Sequence, residues 1–154
     1  MERKTQVIAE AGRSDLLITR EFALPVALLF QAYTEPDLIA QWMGTTVLKH
    51  ESKKHGGYRF QTSYGGNVVF QAHGVIHEFI PVKKIIRTFE MENAPFGVQL
   101  ELLEFASLAD DTSKLTIHSI YESVALRDQM LQLPFAHGIN LAHDRLQATV
   151  SKLT

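Results

Sequence analysis

The sequence predicts an α+β fold: a curved, seven-stranded antiparallel sheet against one long C-terminal helix, with two short helices after the first strand. Three observations predict it. Between Thr45 and Tyr121, stretches rich in β-branched and aromatic residues alternate with turn signals such as "HGG", "GGN" and "NAPFG". From Phe135 to Leu153 the apolar residues step by three or four, the period of one helix face. Between Pro25 and Gly44 two short helical patterns follow one another.

"DLLITREFAL" (Asp15 to Leu24) is the first strand of that sheet and stops at Pro25. "TQVIA" (Thr5 to Ala9) is either a short extra strand or a tail, so residues 1–14 stand apart from a single domain over 15–154. Pro25 suits a first helical turn, where its missing N–H costs nothing. Val26, Leu29, Phe30 and Tyr33 then share one helical face. Thr34 is placed to cap a second helix, with Pro36 in its first turn and Gly44 at its end.

Six strands follow, joined by short turns. "YRFQTSY" and "VVFQAHGVIHEFI" are separated by "GGN", a hairpin signal because positive φ is cheap at glycine. Leu126 to Leu131 is a short helix before Pro134. Phe135, Ile139, Ala142, Leu146, Val150 and Leu153 mark the buried face of a helix of about five turns. His137, Asn140, His143, Asp144, Arg145 and Lys152 fall on its other sides. An antiparallel sheet buries one face, and this helix alone is long enough to cover it. A sheet curled around the helix leaves a space between them, closed at one end by the two short helices.

Composition narrows the function classes. The 154 residues carry 15 basic and 17 acidic side chains, a net charge of −2, which gives no global attraction for nucleic acid or an anionic membrane surface. There is no cysteine, so disulfides, thiolate nucleophiles and cysteine-held zinc are excluded. No apolar run approaches the ~20 residues of a membrane span, and the polar N-terminus has no signal-peptide core. The expected location is the cytoplasm.

The chemistry-bearing motifs are sparse. Of seven histidines, His73 and His77 are the best pair, but four residues along a strand span about 13 Å, too far for two ligands each about 2 Å from one metal. No metal site and no cofactor is expected. G-x-S-x-G, the Walker loop and G-x-G-x-x-G are all missing. Glu78 is the one candidate catalytic group. It keeps the parity of Val68, Phe70, Ala72, Gly74 and Ile76, which are assigned to the inner face, and an inward carboxylate among apolar neighbours is a functional signal. A bulge near Gly74, or a rim position, would instead leave it solvated. By the same alternation Val98, Leu100 and Leu102 line one strand, Leu115 and Ile117 another with Tyr121 at its end, and Phe60 and Phe89 are neighbours.

"ITREFALPVALLFQAYTEPDLIAQWMG", "HGGYRF", "GVIHEFIPVKKIIRTFEMEN", "KLTIHSIYESVALRDQML" and "HGINLAHDRL" resemble the bacterial family named for homology to activators of the heat-shock chaperone ATPase. That family lies within the START-related, birch-pollen-allergen-like (SRPBCC) superfamily. The resemblance covers roughly Leu16 to Leu153 in the family's order. It implies the helix-grip fold and an internal cavity for a hydrophobic or amphipathic small molecule. It also places Trp42, the only tryptophan, on the family's aromatic motif, capping one end of the cavity or core. The family's second tryptophan and its Gly-Pro are replaced by Met43 and by Thr45 after Gly44, which tilts the expected ligand toward an apolar one. Direct stimulation of a chaperone ATPase goes with longer eukaryotic proteins and is not expected here.

The reading favours a binding protein without chemistry of its own. The expected ligand contacts are Trp42, Phe60, Phe70, Ile76, Glu78, Phe89, Leu102, Ile117, Tyr121, Phe135, Ile139 and Ala142. The alternatives are a protein-interaction or chaperone-regulatory module with a filled core, and a cavity enzyme of cyclase or hydrolase type using Glu78. A protein partner and a homodimer are both compatible with the sequence.

Overall fold

The computed structural model describes residues 3–153. The chain runs β1 (Gln6–Ile8), β2 (Asp15–Phe22), α1 (Val26–Thr34), α2 (Pro36–Met43), β3 (Thr46–His50), β4 (Gly57–Tyr64), β5 (Asn67–Ile80), β6 (Lys84–Met91), β7 (Val98–Ala109), β8 (Thr112–Ile120), α3 (Val124–Leu131) and α4 (Phe135–Ser151). The strands form one antiparallel sheet of eight, in the order β1-β2-β8-β7-β6-β5-β4-β3. This is the α+β, helix-grip architecture, with one strand more than expected. The extra strand is "TQVIA": Gln6, Val7 and Ile8 pair with Thr19, Ile18 and Leu17. Among the described residues no helix is long and apolar enough to cross a membrane.

Local chemistry explains most element boundaries. The N–H groups of Leu28 and Leu29 bond the Pro25 carbonyl at 3.0 and 3.1 Å, so Pro25 opens α1. Thr34 does not cap α2. Its hydroxyl turns back to the Phe30 carbonyl at 3.1 Å and closes α1, and Glu35 precedes α2 without a side-chain cap. Gly65 and Gly66, at φ 58° and 82°, make the β4–β5 hairpin. Gly74 has another reason: a Cβ there would lie 2.0 Å from the Thr88 carbonyl oxygen and 2.6 Å from the Tyr58 hydroxyl. The space is taken by Tyr58, which donates to the Thr88 carbonyl across the glycine.

Two strand faces differ from expectation. In β5, Ala72, Gly74 and Ile76 of the expected inner set are buried, while Phe70 is half-buried and Val68 is exposed, and the register shifts between Ile76 and Glu78. The irregularity lies beyond Gly74 and ends the parity argument for Glu78. That carboxylate is 41% exposed and pairs with Lys84 at 3.3 Å. In β7 the buried residues are Gln99, Leu103 and Phe105, while Val98 and Leu100 are 39% and 37% exposed. Apolar alternation pointed to the wrong face because the inward face of β7 carries Gln99 and Glu101, and Glu101 finds its partner, Arg87, on β6.

Helix α4 divides into two halves. Leu146 and Val150 are fully buried, whereas Phe135, Ile139 and Ala142 are half-buried. Leu153 lies past the end of the helix and is 54% exposed, so the stripe stops at Val150. His143, assigned by spacing to an outer side, is fully buried. It meets the Phe22 ring edge-on, with centroids 5.5 Å apart, and its Nδ1 and Nε2 lie 2.8 Å from the Thr5 hydroxyl and 3.2 Å from the Tyr33 hydroxyl. The Thr5 N–H donates to the Asn140 side chain at 2.9 Å. The segment leading into β1 is thereby tied to α4.

A cavity between the sheet and the C-terminal helix

A cavity of about 510 Å³ lies between the inner face of the sheet and the N-terminal half of α4. The sheet contributes Ile18, Phe60, Phe89, Met91 and Ile117; α1 and α2 contribute Tyr33, Ile39, Trp42 and Met43. Met130, Leu133, Pro134, Phe135, Gly138, Ile139 and Ala142 close the other side. The volume lies within the ordinary range of small-molecule sites, about 300–1,000 Å³.

Trp42 sits at the end of α2 because Gly44 takes the left-handed conformation that stops the helix. Its indole N–H donates to the Ala32 carbonyl at 2.7 Å, and its ring lies 5.1 Å from that of Tyr33. The ring is 5% exposed. Arg145 donates from Nε to the Trp42 carbonyl at 3.0 Å and joins the cavity wall to α4.

The floor is polar. Arg87 on β6 faces Glu101 on β7 in direct register, and Glu101 faces Ser119 on β8. Arg87 Nε donates to Glu101 Oε1 at 2.8 Å, with the side chains 12% and 14% exposed. The guanidinium also lies over the rings of Tyr58 (5.2 Å) and Tyr33 (6.0 Å). Burial raises the hydroxyl pKa of both tyrosines above the ordinary value, against the opposing effect of the Arg87 charge. Gln99 stands opposite Phe89, two pairs along β7 and on the same face as Glu101. Gln99 and Ser119 are 4% and 2% exposed, and among the described residues neither side chain has a hydrogen-bond partner. Both open into the cavity.

Behind Phe60, His50 stacks on its ring at 6.2 Å. Burial first, and the Arg87 charge second, push the His50 pKa down to about 4. Burial, then the Arg20 charge, pushes His143 down to about 3. Both are therefore neutral at physiological pH. Among the described residues no three His, Cys, Asp or Glu side chains are grouped so as to hold a metal ion.

Of the residues singled out by sequence, Trp42, Phe60, Phe89, Ile117, Phe135, Ile139 and Ala142 line the cavity. Phe70, Ile76, Glu78, Leu102 and Tyr121 do not. Ile76 and Tyr121 are buried in the core, and Phe70 packs against its edge. Leu102 follows the parity of the exposed Leu100, and Glu78 is turned outward by the bulge. The polar floor went unrecognised, although a signal for part of it existed. If Phe89 points inward, Arg87 must, and if Ile117 does, so must Ser119.

The fold recurs in solved structures. A crystal structure of a Rhodobacter sphaeroides protein is 20% identical, with 98% of this chain and 99% of that one covered at a TM-score of 0.85. A Mycobacterium smegmatis protein is 22% identical over 94% of this chain and 95% of its own, at a TM-score of 0.82. An Arthrobacter aurescens protein is 18% identical over 96% and 91%, at 0.84. No protein of curated function matches the sequence. The family model described as "Activator of Hsp90 ATPase homolog 1-like protein" matches residues 23–151, from just after the first long strand to the end of α4, and the chain belongs to that family.

Proposed function

We propose that the protein binds a hydrophobic or amphipathic small molecule in the cavity between sheet and α4, as a cytoplasmic carrier or sensor rather than an enzyme. One observation carries this reading: about 510 Å³ of space with a mainly apolar wall between the sheet and α4. An apolar wall of this extent left facing water is unfavourable, and an apolar ligand seated against it would relieve that cost. A filled-core interaction module has no use for such a space. Catalysis has little support: Glu78 is on the outer side, and the buried His143 is committed to Thr5 and Tyr33.

Native mass spectrometry of freshly purified protein, with Nile red titration followed through Trp42 emission, tests the reading. The expected result is retained apolar material or one saturable dye site that changes the emission of the only tryptophan. Trp42→Phe should keep the fold and shift the dye affinity. A bare protein that takes up neither Nile red nor any apolar compound would refute the cavity function.

A further inference from the structure

We infer that the ligand carries an uncharged hydrogen-bonding head, a hydroxyl or carbonyl seated against Gln99 and Ser119, rather than a carboxylate. The inference rests on the cavity-binding reading and specifies its chemistry.

Three observations on the floor lead there. Gln99 and Ser119 are both more than nine-tenths buried, open into the cavity, and lack a protein partner among the described residues. Their polar atoms are reached from the cavity and not sealed in the core, so water can satisfy them, and a purely apolar ligand group that displaced that water would leave them unpaired at a cost. Together they offer N–H and O–H donors and carbonyl and hydroxyl acceptors, which suits a head that both donates and accepts. The third observation is charge. Arg87 is the one cation on the floor, and Glu101 sits on its Nε at 2.8 Å. The pair is close to neutral as a unit. A ligand carboxylate brought beside it would meet the Glu101 carboxylate with no uncompensated cation to hold it. A neutral head can still accept from the remaining Arg87 N–H groups, which face the same space.

The opposite orientation is the competing one. Arg145 stands on α4 at the exposed side of the cavity. A fatty carboxylate could place its head there with its chain inward. The two orientations make different predictions for matched ligands.

The experiment is competition against bound Nile red at neutral pH with 1-decanol, decanoate and decylammonium, on the wild type, Gln99→Leu, Ser119→Ala and Arg145→Ala. Decanol should compete at least about tenfold better than either charged homologue. Gln99→Leu should weaken decanol by about 3- to 10-fold, the worth of one neutral hydrogen bond, while Nile red binds as before. Ser119→Ala should act in the same direction. Gln99→Leu should melt at or above the wild-type temperature, because it removes an unpartnered buried amide. Decanoate binding best, with its advantage lost in Arg145→Ala, would overturn the inference and leave the cavity reading standing. Equal decanol affinity in wild type and Gln99→Leu would also overturn it. Failure of Nile red to bind the wild type removes the cavity reading and this inference with it.

Discussion

Breaking the Arg87–Glu101 pair by one side only should cost the protein far more than removing both partners. At 2.8 Å, with an effective dielectric of about 20, the attraction is about 6 kcal/mol before desolvation is charged against it. Both side chains are mostly out of water, so a large part of that attraction only offsets the cost of burying them. Arg87→Met leaves Glu101 facing an apolar wall, and Glu101→Leu leaves a guanidinium between Tyr33 and Tyr58. Each should lose about 3–5 kcal/mol, whereas Arg87→Met with Glu101→Leu should return to within about 1 kcal/mol of wild type.

Urea unfolding by far-UV circular dichroism measures all four proteins, with the coupling energy read from the double-mutant cycle. For a chain of this size a 3 kcal/mol loss should lower Tm by about 6–12 °C. The two single variants should also differ with pH. A carboxylate can take up a proton and a guanidinium cannot, so the defect of Arg87→Met should shrink in acid while that of Glu101→Leu should not. Single variants within 1 kcal/mol of wild type, or a cycle with no coupling, would show the pair to be solvated and the floor of the cavity wet.

Other expectations follow from buried groups. His143 titrates at about 3 in the folded protein against about 6.5 unfolded, so the unfolded state binds the proton first and stability falls as pH drops from about 6.5 toward 3. The share of His143 in the loss at pH 5 is about 2 kcal/mol relative to pH 7.5; His50, held down to about 4, adds to it, so His143→Gln should reduce the slope without abolishing it in urea titrations at the two pH values. Gly74→Ala should destabilise by about 2 kcal/mol or more, because the added methyl collides with the Thr88 carbonyl and the Tyr58 hydroxyl. In Tyr58→Phe the same substitution should cost less, and thermal melts of the four proteins would show it.

Elements governed by local rules were legible in the sequence. Pro25, Pro36, Gly44 and the Gly65-Gly66 turn act within one turn of chain, and the structure places each where its own chemistry demands. Phe60 and Ile139 reached the cavity wall by strand and helix periodicity, and Trp42 through the family resemblance. The failures came where one residue's place depended on another strand. The inward face of β7 cannot be found from β7, since Gln99 and Glu101 make it read as the polar side. Only the register with β6, which sets Arg87 against Glu101, makes that face intelligible. Glu78 failed for a related reason: a register shift between Ile76 and Glu78 breaks the alternation, and no glycine marks it. His143 shows the limit for helices. A histidine on a flank of the stripe is buried here because Thr5, far away in sequence, supplies its partner.

The two halves of α4 show why the cavity is better regarded as maintained than as left over. Leu146 and Val150 are fully buried beneath the C-terminal half. In the N-terminal half the chain places Gly138 and Ala142 against the cavity, although larger side chains would fill it. Gly138 is within a helix, where it is about 0.5–1 kcal/mol worse than alanine, and a Cβ there would meet nothing within 4 Å. No backbone demand explains it, since its φ is not positive. Gly138→Ala should therefore raise stability by about 0.5–1 kcal/mol in urea unfolding. Gly138→Leu should keep the fold but narrow the cavity and weaken Nile red uptake. Stability gained with dye binding lost would mark the glycine as serving the ligand. Gly138→Ala less stable than wild type, or Gly138→Leu with undiminished dye binding, would mean that this stretch of α4 neither has the free space nor guards the entrance.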